Sequence, residues 1–519
     1  MIARAAALGL ALAAGLGGTA LAGRLPTVDA GPAVVAPVRL DIPAATPALV
    51  CPGPETAVVP DGAMPVPAPG PFTVTAAAAT ASGAGSADIA AAVLGPMATR
   101  LGGTALAGAG DVRVLARAGD PRGPLRLAPT GSSAGGGAAA ERLAAVQVTL
   151  ARTGDLRGLA AGQCGAATAD AWLVGGATTP GRRARLLLAN PTPAPAVVDV
   201  RLAGPKGPVD VPSGRGLVVA PGRVRALLLD AAAPGLGQLA VHVVARSGRV
   251  TALLHDSWLR GAVPAGTDDV LPSAAPSRHV VVPGIVVLPG GAARLRIAAT
   301  GSADAVVRYH LLGAAGDVQP PGPGVLTVPA GGVADVSLRW VRPGAYAAVL
   351  DADAPVAAAA SMTVTGPPLG PLRTVAADLA WTSGTQPLKG EVAAVVPRPV
   401  DSRHSVVTDA PAGARLLLTG GSRAASVVLR EADTAGRPVR TLTVAVPPGR
   451  TVGVTLTPAT AAYLLRVPAR SPVHAALVVT VPDPAGLLLT ALPLHPAVLA
   501  ARVAPPAVAD PALPASQTP

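Results

Sequence analysis

Gly131-Ser132-Ser133-Ala134-Gly135 fits G-x-S-x-G, the pattern that holds a nucleophilic serine on a sharp strand-to-helix turn. Ser133 would then attack an ester or amide. Leu125-Arg126-Leu127 is a fitting strand before it, but Pro129 just ahead and Gly135-Gly136-Gly137 just behind oppose the tight turn. The segment therefore reads as a flexible linker, and a serine hydrolase stays as a third functional reading. Two acidic pairs, Asp268-Asp269 and Asp351-Ala352-Asp353, have the oxygen chemistry for a hard cation, although solvated turns are the default reading. The histidines, His242, His255, His279, His310, His404, His474 and His495, lack metal-ligand spacing and read as surface or strand-face residues. No catalytic, cofactor-binding or metal-ligating residue is assigned. Cys51 and Cys164 are the only cysteines. Outside the cytoplasm an even count points to one disulfide, with two buried free thiols as the alternative. Trp172, Trp258, Trp340 and Trp381 lie near the edges of a repeating unit and read as core.

That unit is the main organising feature. Ala184-Arg185-Leu186, Ala293-Arg294-Leu295 and Ala414-Arg415-Leu416 each open a copy. Each copy passes through a Pro/Gly turn ending at Gly222, Gly331 or Gly449, and closes on an apolar run near Val250, Val356 or Val473. Within the copies apolar and polar residues alternate, as in half-buried strands: Val198, Val200 and Leu202 against Asp199 and Arg201, and Val307, Tyr309 and Leu311 against Arg308 and His310. The run Val427-Val428-Leu429 is less regular. Six or seven short strands per copy predict an all-β chain of tandem immunoglobulin-like, Greek-key β-sandwiches. Tyr346 and Tyr463 stand at corresponding positions, where such domains place a tyrosine corner.

The sequence divides accordingly. Residues 1–24 are a signal peptide or signal anchor, 25–46 a Pro-rich stalk, and 47–165 a divergent β domain closed by Cys51 and Cys164. The three repeats occupy 166–262, 275–366 and 375–483, with turn-rich gaps between them. A C-terminal segment, 484–519, ends in a Pro/Ala tail. Within the divergent region, Ala76 to Ala92 and Gly131 to Ala140 read as low-complexity loops.

Residues 5–22 carry no charge, follow Arg4 and end in Ala20-Leu21-Ala22, a signal-peptidase pattern. Uncleaved, they are expected to form an N-terminal hydrophobic helix just long enough to span a bilayer. The body is thus expected to be extracytoplasmic, either anchored in the cytoplasmic membrane by this segment or secreted. The formal charge is +12. All but Lys206 and Lys389 of the 41 basic residues are arginines scattered along the chain, a bias that fits a GC-rich genome. Aromatics are only 2%, too few for the stacking platforms of nucleic-acid binders, so nucleic acid is not an expected partner.

Gly154-Asp155-Leu156-Arg157-Gly158-Leu159-Ala160, Cys164, Asp170-Ala171-Trp172-Leu173-Val174-Gly175-Gly176 and Leu188-Ala189-Asn190-Pro191, with Cys51-Pro52-Gly53-Pro54, resemble an uncharacterised family of actinobacterial secreted or membrane-anchored envelope proteins with tandem β-sandwich modules. The resemblance implies a compartment and a fold but no activity. The expected function is a non-enzymatic extracytoplasmic scaffold or protein-interaction protein of the cell envelope, with another envelope protein as partner. The alternative is a module binding wall polysaccharide or an anionic wall polymer through Arg-bearing strand faces such as Arg223 and Arg225.

Overall fold

The computed structural model describes residues 48–53, 72–79, 89–93, 112–118, 125–129, 142–371, 373–399 and 413–496, all within one compact unit. The expected signal segment, stalk and Pro/Ala tail lie outside these residues, as do Ser133 and His404. Among the described residues strands dominate. The α-helical content of the described residues is one turn, α1 (Leu229–Ala232), and among them no helix is long and apolar enough to cross a membrane.

Four stretches of chain share one strand plan. In the first are β1 (Leu49–Cys51), β2 (Phe72–Ala79), β3 (Ile89–Val93), β4 (Val112–Ala118), β5 (Leu125–Pro129), β6 (Arg142–Ala151), β7 (Gly158–Gln163) and the short β8 (Gly165–Ala166). The second holds β9 (Asp170–Val174), β10 (Arg182–Ala189), β11 (Ala196–Gly204), β12 (Gly207–Val209), β13 (Leu217–Val219), β14 (Val224–Leu228), β15 (Ala240–Ser247), β16 (Thr251–Arg260) and β17 (Val263–Val270). The third runs through β18 (Ser277–Val287), β19 (Ala292–Ala299), β20 (Ala305–Gly313), β21 (Gly316–Val318), β22 (Val325–Val328), β23 (Val333–Ser337), β24 (Gly344–Leu369) and β25 (Thr374–Ser383). The fourth comprises β26 (Gly390–Val395), β27 (Gly413–Gly420), β28 (Ala425–Ala432), β29 (Pro438–Val446), β30 (Thr451–Thr455), β31 (Ala462–Val467), β32 (Val473–Val481) and β33 (Leu488–Pro493).

Each module has two antiparallel sheets. In the second, one sheet runs β14-β10-β16-β17 and the other β12-β11-β15-β9. Leu186, Leu188 and Leu254 from the first sheet meet Leu173, Val198, Val200 and Val241 from the second in one core. Burial at every second residue drives this packing. The same orders recur as β4-β2-β6-β7 and β3-β5-β1 in the first module, and as β30-β27-β32-β33 and β26-β31-β28-β29 in the fourth. In the third, β24 does the work of two strands. Its first part pairs β18 and β20, then from Val356 onward it pairs β19 and β25, so it crosses from one sheet to the other and joins them. The divergent first region is therefore a fourth copy of the repeat.

Several expected boundaries shift. β17 pairs β16, so the second module runs past 262 into the stretch read as a turn-rich gap. β25 pairs β24 and closes the third module, although its residues were assigned to the last repeat. β33 pairs β32 and extends the last module beyond 483. The cause is common: every copy ends with a strand that the anchor spacing does not reach. Ala76 to Ala79 and Ile89 to Val93 are strand, not loop, because alanine-rich runs pair as soon as they have neighbours. Val427 and Leu429 are buried and Val428 is not, so that irregular-looking run alternates as β28.

Candidate functional site: a buried carboxylate junction

The closing strands β7, β17, β25 and β33 pack against one another in a ring, β7 on β17, β17 on β25, β25 on β33 and β33 on β7. Each is the outermost strand of its own sheet, with a row of N–H groups that its module leaves unpaired. Buried without partners, such groups cost about 1–3 kcal/mol each. Two carboxylates supply acceptors. Asp268 on β17 accepts from the Trp381 N–H on β25 at 2.7 Å, from the Ala161 N–H on β7 at 3.3 Å and from the Thr490 hydroxyl on β33 at 2.9 Å. Asp378 on β25 accepts from the Leu489 N–H on β33 at 2.7 Å and the Leu159 N–H on β7 at 3.4 Å. Both are fully buried.

Glycine makes this close approach possible. A Cβ on Gly158 would lie 2.7 Å from Asp378 Oδ1. Gly266 has φ 115°, and a Cβ there would stand 2.2 Å from the Leu379 nitrogen.

Around the ring the remaining charges join modules rather than face solvent. Asp269 accepts from Gln147 Nε2 at 2.9 Å and lies 2.5 Å from His255 Nδ1. Gln147 in turn holds the Gly53 backbone beside Cys51. Asp256 bonds the Trp381 indole N–H at 2.8 Å and pairs with Arg182. Arg296 on β19 donates to the carbonyls of Gly176 and Gly237 in the second module, pairs with Asp335 and lies over the Trp381 ring. Arg157 reaches the Ala377 and Gly486 carbonyls and Asp483, tying the first module to the third and fourth.

Burial dominates the acid–base behaviour. It pushes Asp378 up to about 8 even though backbone N–H groups and Arg157 favour the anion. Asp268 is raised well above the usual carboxylate range, first by burial and then by the adjacent Asp269. Burial likewise raises Asp256, against the pull of Arg182. Asp378 Oδ1 has no hydrogen-bond partner among the described residues.

The sequence candidates are dispersed. Asp268-Asp269 sits in the junction, with its two carboxylates on different partners. Asp351 pairs with His279 and Asp353 accepts the Val306 N–H, in the third module. His255 is a strand-face residue on β16, as one of the two expectations had it, and is buried where its ring bridges to Asp269. His242 stacks on Trp172 and bonds Asp170. Among the described residues no three His, Cys, Asp or Glu side chains come together as a metal site. Arg223 and Arg225 stand exposed at an outer sheet edge, on β14 and its preceding turn. Tyr346 donates to the Arg342 carbonyl at 3.0 Å, a corner-like bond, whereas the buried Tyr463 hydroxyl has no partner among the described residues. Cys51 and Cys164 form the disulfide, fastening β1 to the end of β7. Sequence reasoning gave no structural role to Arg157, Arg182, Asp256, Arg296 or Asp378. The one available signal was a lone charge inside an apolar strand run, as in Val375-Ala376-Ala377-Asp378-Leu379.

The DUF5719 model, a family of unknown function, matches residues 126–457, and the chain belongs to that family. The match takes in β7, β17 and β25 and stops before β33. Comparison with curated proteins gave no match.

Proposed function

We propose that the protein is a non-enzymatic scaffold or interaction protein of the cell envelope, membrane-tethered or secreted, built from four immunoglobulin-like modules. The observation that carries this reading is the junction. Its ionisable side chains are buried and used to hold the modules together, which makes a stiff frame presenting outer strands and loops. The Tyr346 bond supports the immunoglobulin-like reading, and the Cys51–Cys164 disulfide supports an oxidising, extracytoplasmic compartment. Crosslinking in intact cells followed by mass spectrometry tests the role. Reproducible links from the modules to one envelope protein support it, and recovery of the chain with cytoplasmic proteins alone sinks it.

A further inference from the structure

All four closing strands leave the junction toward one cavity of about 660 Å³, bordered by Gln163, Leu271, Gln386 and Leu494. Its wall is mainly apolar, with Leu49, Leu143 and Val146 from the first module facing Val392 and Val395 from the fourth. Its carboxylate, Asp170, is already paired with His242. A second cleft of about 560 Å³ adjoins it, and Ala274, Ala275 and Gln386 border both.

The second cleft has the opposite chemistry. Arg423, on the turn between β27 and β28, and Arg470, on the turn between β31 and β32, both line it. Ser422 and Ser471 stand beside them, and no Asp or Glu is in its wall. Its two imidazoles differ. His279 is engaged by Asp351 at 2.8 Å. His474 shares a 2.9 Å hydrogen bond with the Thr385 hydroxyl, and burial, then the nearby His279, holds its pKa at about 4, so its ring is neutral at neutral pH. The fixed charges of the wall are thus two guanidinium groups, which suit a phosphate or similar oxyanion.

We infer that the paired cavities form a binding site for an anionic amphiphile, its phosphate-like head between Arg423 and Arg470 and its alkyl chain in the apolar cavity beyond Ala275. A charged cleft beside an apolar one, with Ala274, Ala275 and Gln386 in both walls, matches a ligand with both characters better than a free anion or a neutral lipid. This inference holds wherever the chain resides, so it stands or falls apart from the scaffold reading.

Isothermal titration of the full chain with dodecyl phosphate, at submicellar concentration, tests it. Dodecyl maltoside supplies the same tail with a neutral head, and inorganic phosphate supplies a head alone. Dodecyl phosphate should bind about tenfold or more tighter than either. The Arg423→Ala/Arg470→Ala double variant should weaken dodecyl phosphate by about tenfold or more. Ala275→Trp, on an exposed loop that borders both cavities, should weaken dodecyl phosphate similarly. Equal binding of maltoside and phosphate heads overturns the inference. So does inorganic phosphate binding as tightly as the alkyl ester, which would mark a free-anion site. Unchanged affinity in the arginine double variant does so too, because any binding then lies elsewhere, for instance on residues 5–22.

Discussion

Asp378 and Asp210 are the same residue in two different solvents. Asp378 is fully buried in the junction, takes N–H groups from two other modules and is pushed up to about 8. Asp210 pairs with Arg215 on the outer surface, where the two side chains are 69% and 66% exposed. Water screens the outer pair, so it contributes little. At the centre the carboxylates are buried from bulk solvent, and each polar group must find a partner or change its protonation. The centre therefore concentrates specificity for this arrangement of modules, while the rim is free to vary.

This contrast can be broken in several places. The largest effect is expected from Cys51→Ser with Cys164→Ser. A 113-residue separation gives up to about 4–5 kcal/mol in the chain-entropy account, read as a fall in the denaturant midpoint. Equal stability of the double variant under non-reducing conditions would mean that the ring holds β7 unaided. Arg157→Ala should cost about 3–5 kcal/mol, because Asp483 and two carbonyls lose a buried cation. A cost near that of a surface mutation would show that water reaches the centre. Gly266→Val should destabilise by about 3 kcal/mol through its left-handed φ and the clash with Leu379, measurable by thermal unfolding.

Asp378→Asn sharpens the comparison through pH. A carboxyl raised from an unfolded value of about 3.9 to about 8 binds its proton more tightly when folded. Its contribution is fully present below about pH 4, falls as pH rises, and is gone above about pH 8. The stability of the parent relative to the Asn variant should therefore decline between pH 4 and pH 8. A constant difference across that window would show that Asp378 is ionised throughout. The smallest effect is expected from Arg215→Ala, below about 0.5 kcal/mol by chemical denaturation. A loss above 1 kcal/mol there would erase the distinction between rim and centre.

Strand content was legible because alternation needs only neighbouring residues: Val198, Val200 and Leu202 announce their face without reference to the rest of the chain. The disulfide was legible as one of two alternatives. The junction was not, since Asp268 and Asp269 look like a polar turn when the strands around them are unseen. Arg157 was noticed within a family-like segment, but nothing local ties it to Asp483, far along the chain.

The repeat in the sequence determined that this chain builds several like modules of paired sheets, because hydrophobic periodicity and turn residues act over short spans. Tertiary structure alone decided that there are four of them, that their last strands meet, and that buried acids cap those strands. Those outcomes depend on which sheet edges are left over after each module folds, and on the cost of burying them unpaired.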